Sequence, residues 1–177
     1  IAIGYNAGAS LDYQNNVLIG HEAGRYLGQC QENVALGKNA LFGNTSGVYN
    51  SSMNVAVGNN AGYSISGGAM GNTILGTAAG AYLTTGDNNV VIGNYTGSGA
   101  GSSGLTTQNS QLWIDASSTA TPLIKGDFNM DTLKINGALS IRDVSSSVEK
   151  YFLVLDSATH RICKMDTTGW GGGGGGV

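Results

Sequence analysis

The sequence predicts an all-β chain of stacked short strands, a β-roll or β-solenoid, continued by a distal β-rich segment. Three observations carry this. An apolar triplet closed by glycine recurs six times between Ile1 and Gly97. The closing glycines Gly4, Gly20, Gly37, Gly58, Gly76 and Gly93 stand 16, 17, 21, 18 and 17 residues apart. The composition holds 30 glycines in 177 residues, with only 11% charged and 7% aromatic side chains, which is unusual for a globular enzyme. A near-constant period of this length means that each repeat is one unit that buries its apolar face by stacking on its neighbours.

The triplets read Ile1-Ala2-Ile3, Val17-Leu18-Ile19, Val34-Ala35-Leu36, Val55-Ala56-Val57, Thr73-Ile74-Leu75 and Val90-Val91-Ile92. They are short and rich in β-branched residues, so each reads as a brief strand rather than a helical turn. The glycine that follows admits positive φ and lets the chain turn where a side chain would clash. Three residues on stands a small step, at Ala7, Ala23, Ala40, Ala61, Ala79 and Thr96. A second glycine comes next at Gly8, Gly24, Gly62, Gly80 and Gly97, with Leu41 breaking the pattern. A second, weaker strand is expected around Leu11 to Tyr13, Tyr26-Leu27, Tyr63 to Ile65 and Tyr82 to Thr84. Turn signals such as Gly86-Asp87-Asn88-Asn89 then return the chain to the next copy. One repeat is one coil.

Five triplets are preceded by asparagine, at Asn16, Asn33, Asn54, Asn72 and Asn89. Two readings stay open: amides stacked and hydrogen-bonded from coil to coil, or turn residues that open each strand.

Alternation along a strand sends the first and third triplet residues to one face and the middle residue to the other. Both sets are apolar, whereas a thin coil has one inner face, so the other needs a covering surface. Val17, Leu18, Ile19, Val34, Ala35, Leu36, Val55, Ala56, Val57, Ile74, Leu75, Val90, Val91 and Ile92 are therefore the expected core and assembly residues, with the middle side chains shielded by sister copies. A monomeric solenoid is the alternative. Ordering one coil costs about 1–2 kcal/mol of backbone entropy per residue, against about 1.5–3 kcal/mol for each buried medium side chain. An isolated coil falls short, and stacking with subunit association offsets the deficit.

Charge is unevenly spread: six charged residues precede position 111 and thirteen follow. The expected organisation is a roll over 1–97, a Gly/Ser-rich junction over 98–110, a β-rich segment over 111–142, a β-hairpin segment over 143–169 turning at Ser157-Ala158-Thr159, and a glycine-rich tail or linker over 170–177 that contains Gly171 to Gly176. The chain starts inside a repeat without Met, so it is expected to be part of a longer protein.

A net charge of −3 without a basic cluster argues against a nucleic-acid partner. The longest apolar runs, such as Phe152 to Leu155, are too short to span a bilayer. Cys30 and Cys163 are read as reduced thiols, since two cysteines make neither a disulfide framework nor a metal site with ligand spacing. The Gly-Gly-x-Gly-x-Asp calcium pattern is absent, and the Gly97 to Gly104 stretch precedes no Lys-Ser/Thr pair. Glycoside hydrolysis needs two placed carboxylates. Asp12, Glu22 and Glu32 lie in successive coils but read as solvated loop charges. His21 and His160 lack a ligand pattern; three His21 side chains around a three-fold axis would be the one route to a metal or anion site, against a plain surface turn. No catalytic residue, cofactor or metal is assigned. Tyr5, Tyr26, Tyr49, Tyr63, Tyr82 and Tyr95 are the candidate surface contacts for glycan or protein, with packing between coils as the favoured alternative.

The phrases Asn16-Val17-Leu18-Ile19-Gly20-His21-Glu22-Ala23-Gly24 and Asn54-Val55-Ala56-Val57-Gly58-Asn59-Asn60-Ala61-Gly62 resemble the repeats of trimeric autotransporter adhesin heads and of related bacteriophage tail fibres. Ser110 to Asp115, Thr121 to Phe128 and Leu133 to Leu139 are similar to the segment that precedes the C-terminal chaperone of tail fibres and tailspikes, also found in phage-like contractile injection systems. The longer, less regular period favours the tail-fibre branch. The resemblance implies an intertwined homotrimer, two further copies as partners beside fibre or baseplate proteins, a cell-surface glycan or protein receptor, and a place in a virion tail or on a cell surface. The expected role is a rigid shaft or presentation element for host attachment. A bacterial extracellular filament or surface adhesin and a polysaccharide-depolymerising tailspike are the alternatives.

Overall fold

The computed structural model describes residues 1–10, 14–43, 50–99 and 104–138, together with the backbone of Tyr151–Asp156 and Arg161–Asp166. The chain divides into two units, 1–138 and 139–177. All described secondary structure is β.

The first unit is one nine-stranded sheet whose spatial order follows the chain. Its strands are β1 (Ala2–Ile3), β2 (Val17–Ile19), β3 (Val34–Leu36), β4 (Val55–Val57), β5 (Thr73–Leu75), β6 (Val90–Ile92), β7 (Gln111–Ile114), β8 (Ile124–Asp127) and β9 (Thr132–Ile135). β1 to β7 pair in parallel and the repeats stay in register: Leu18 faces Ala35, Ala35 faces Ala56, Ala56 faces Ile74, and Ile74 faces Val91. β8 and β9 reverse direction and close the sheet with antiparallel pairs. The six recurring triplets are thus six strands of a β-solenoid.

Gln111–Ile114 continues the ladder, with Trp113 opposite Val91. Five of the thirteen charged residues that follow position 110 lie in this first unit, from Asp115 to Lys134, and the other eight lie beyond residue 138. The division between the two units falls at 138/139.

The middle residues Leu18, Ala35, Ala56, Ile74 and Val91 are all 0% exposed within a single chain. This corrects the expectation that sister copies shield them. Each coil folds over this face, and Leu27, Ile65, Leu83 and Leu105 close the core. The first and third residues point the other way and stay half-buried or exposed. The narrow interior explains the choice of residues. Where the strand supplies Leu18, Ile74 or Val91, the facing turn has Gly24, Gly80 or Gly97, and a Cβ at Gly24 would collide with the Leu18 side chain. In the third coil the strand supplies only Ala35, and buried Leu41 takes the glycine's place. Its side chain reaches over Gly62 beside Ile74 and Ile65, filling the space that Ala35 and Ala56 leave.

The closing glycines have a second reason beyond their φ of 121° to 139°. Consecutive coils touch backbone to backbone there: a Cβ on Gly37 would lie 2.6 Å from the Gly58 carbonyl oxygen, and one on Gly58 2.5 Å from that of Gly76. The expected second strands do not form at Tyr63 to Ile65 or Tyr82 to Thr84, and Tyr26 makes only a bridge to Gly43. Second glycines at φ of 53° to 64° curl this wall, yet it still hydrogen-bonds coil to coil, as in Gly62 N–H to Ala79 O at 2.9 Å and Ser64 N–H to Ala81 O at 3.1 Å.

The second unit contains an antiparallel pair, β10 (Tyr151–Asp156) with β11 (Arg161–Asp166), registered with Val154 opposite Cys163. Its turn residues Ser157-Ala158-Thr159 and His160 lie outside the described residues, as do Leu11 to Tyr13, Tyr49 and Gly171 to Gly176.

Candidate functional site

Three surfaces of the roll present chemistry: the inner asparagine ladder, the outer strand face and the turns beyond the closing glycines. The ladder is structural. Asn33 donates its backbone and side-chain N–H to Asn16 Oδ1 at 3.0 and 3.1 Å. The motif repeats from Asn72 to Asn54 and from Asn89 to Asn72, and Gln111 N–H ends it on Asn89 Oδ1 at 2.9 Å. The second side-chain proton of each goes to a carbonyl of the same wall, Ser51 for Asn33 and Gly86 for Asn72. Of the two readings, stacked amides are the one that forms, and the ladder pairs the side-chain oxygen and both side-chain protons of Asn33, Asn54 and Asn72.

The outer face carries two columns. Val17, Val34, Val55, Thr73 and Val90 form one; Ile3, Ile19, Leu36, Val57, Leu75 and Ile92 form the other. Thr73 is the one polar member. Ile3 is 57% exposed, Ile19 39% and Leu75 36%. The β8–β9 hairpin adds exposed Phe128, Met130 and Leu133. Its end is held by Asp127, which accepts from Gln111 Nε2 at 3.0 Å and from the Asn129 and Met130 N–H groups. These bonds, led by that from Gln111, hold the Asp127 carboxyl below its usual range. Asp115 is lowered similarly, first by the Ala116 N–H and then by the Ser117 hydroxyl.

The candidate tyrosines divide. Tyr5, Tyr82 and Tyr95 are exposed, whereas Tyr26 and Tyr63 flank Phe42, Tyr26 edge-on with ring centroids 5.1 Å apart and Tyr63 stacked at 4.8 Å. Tyr49 lies outside the described residues. His21 stacks on Tyr5 with centroids 5.3 Å apart and lies 3.8 Å from Glu22. Glu22 is also paired with Arg25 in its own turn, and Glu32 is exposed in a different loop. Asp12 lies outside the described residues, and among the described residues no group of three or more His, Cys, Asp or Glu side chains converges. Cys30 is buried, and burial pushes its thiol from 9.0 to about 11 against a smaller opposing effect of the Ser51 backbone. No described helix is long and apolar enough to cross a membrane.

Sequence reading missed two features. The backbone contact between glycines leaves no pattern beyond glycine itself, and the convergence of Tyr63, Tyr82 and Tyr95 joins three coils. Comparison of the chain with protein-family models, with curated proteins and with solved structures gives no match.

Proposed function

We propose that the chain is a structural segment of a homotrimeric fibre, joined to two further copies of itself through the outer face of the sheet. The observation that carries this is the pair of outer columns, which stay half-exposed although the chain closes its own core. Contiguous apolar surface of this kind marks an interaction site, and each side chain it buries stabilises assembly by about 1.5–3 kcal/mol. The columns repeat aliphatic side chains at strand spacing, broken only by Thr73, which suits a partner with the same repeat. The number three, and the role as a rigid shaft or presentation element for host-cell attachment in a phage or phage-like tail, rest on the likeness of the Asn-Val-Ala-Val-Gly phrases to adhesin heads and tail fibres.

Light scattering on the purified protein tests the reading. The expected mass is three times the 18.0 kDa protomer. Val57→Asp and Leu36→Asp put charge on the outer columns without entering the core, so they are expected to give monomers that keep their β circular dichroism. A wild-type monomer, or an oligomer indifferent to both substitutions, overturns the proposal.

A further inference from the structure

A cleft of about 690 Å³ opens on the turns that follow the closing glycines, away from the outer strand face. It has a local cause. Two residues past each closing glycine the backbone takes a left-handed conformation, at Asn39, Asn60, Ala78 and Tyr95 with φ of 52° to 58°. These turns stack, with Asn60 N–H on Lys38 O at 2.9 Å, Ala78 N–H on Asn59 O at 2.7 Å and Tyr95 N–H on Thr77 O at 2.8 Å. Asn39 Nδ2 also donates to Asn60 Oδ1 at 3.1 Å, so the amides begin a column of their own. That column stops at Ala78, the smallest side chain in the series, whose methyl group can neither accept nor donate. A residue other than Gly or Asn is disfavoured at this φ, so Ala78 keeps the notch open at a conformational cost.

We infer that this notch is a binding site for a neutral saccharide. Its rim carries the rings of Tyr63, Tyr82 and Tyr95, the last two each 50% exposed. The Asn60 amide and the Ser64 hydroxyl line it with these rings, while the Ser98 hydroxyl already donates to the Tyr95 carbonyl. Among the described residues no Asp, Glu, Lys, Arg or His lines it, so they do not supply the charge that a phosphate, a carboxylate or a metal ion requires. A wholly apolar ligand would leave the amides and hydroxyls unpaired. A sugar satisfies both demands, with its C–H face on a tyrosine ring and its hydroxyls on amides that both donate and accept. The volume falls within the range of about 300–1,000 Å³ typical of small-molecule sites. An extended peptide fits less well, because strand addition needs free backbone groups and these turns already spend theirs on the next coil.

The site does not rest on trimer formation, and its test is separate. The intact protein is applied to an array of neutral oligosaccharides with their sialylated and sulfated counterparts, and any neutral hit is titrated by calorimetry. Ala78→Asn extends the amide column into the notch and suits the left-handed backbone better than alanine. It is expected to weaken binding at least tenfold while the melting temperature and oligomer mass hold or the former rises. Tyr82→Ala, at an exposed position, is expected to weaken binding by a similar factor. Failure of every neutral glycan to bind, binding of acidic glycans or peptides only, or full affinity in Ala78→Asn overturns the inference.

Discussion

Asn54 donates its backbone N–H and its side-chain N–H to the Oδ1 of Asn33, at 3.0 and 3.2 Å, from one coil to the one before. Asn72 repeats the same pair of bonds onto Asn54. Each amide is thus acceptor for one coil and donor to another, and the column runs parallel to the sheet at 0% to 5% exposure.

Replacing Asn54 by Ala is expected to destabilise the roll by roughly 3 kcal/mol. The change strands the Asn72 donors and the Ala69 carbonyl in a dry interior and leaves Asn33 Oδ1 only the backbone N–H of residue 54, and an unpaired buried group costs about 1–3 kcal/mol. Urea denaturation of Asn54→Ala beside Asn59→Ala, whose side chain lies on the exposed turn, measures it. Equal midpoints would mean that water replaces the ladder.

Leu41→Gly restores the glycine found in the other coils, yet it is expected to cost about 2–4 kcal/mol, as large-to-small core substitutions do. Relief of the left-handed φ of 46° at Leu41 offsets only part of the loss. The reason is the small volume of Ala35 and Ala56 beside it. A double variant, Leu41→Gly with Ala35→Leu, copies the second coil's pairing of Leu18 with Gly24 and is expected to recover part of the deficit in the same denaturation assay.

Alkaline pH acts through Cys30. Its folded thiol titrates near 11 and its unfolded one near 9.0, so below pH 9 both states hold the proton and nothing is lost. Between pH 9 and 11 the unfolded chain releases a proton that the fold retains, and stability declines as pH rises across that window. The stability difference between wild type and Cys30→Ala should therefore shift against wild type over this range and stay constant from pH 6 to 8. A flat difference to pH 11 would show a thiol that titrates normally.

Much of the architecture was legible because it repeats. Apolar triplets, the asparagine before them and the glycine after them each mark one place in a coil, and their constant order predicts parallel stacking in register. Legibility weakened where geometry is not periodic. The turn wall reads as strand from Tyr63-Ser64-Ile65, but glycines at φ near 60° curl it, and its bonds run between bent segments. For the candidate binding surface, the tyrosines were visible one by one. Which of them share a cleft depended on Ala78 interrupting the turn column in a single coil.

The sequence by itself determined the repeat, the strand positions and the fact that each strand is apolar on both sides. Only the tertiary structure decided which side faces in. Alternation with period two separates two faces but gives neither a sign; the sign comes from the direction in which the chain bends past each closing glycine. The coil bends over Leu18, Ala35, Ala56, Ile74 and Val91, where a facing glycine makes room for each larger side chain and Leu41 fills in beside the alanines, and this leaves Val34, Leu36, Val55 and Val57 on the outer face.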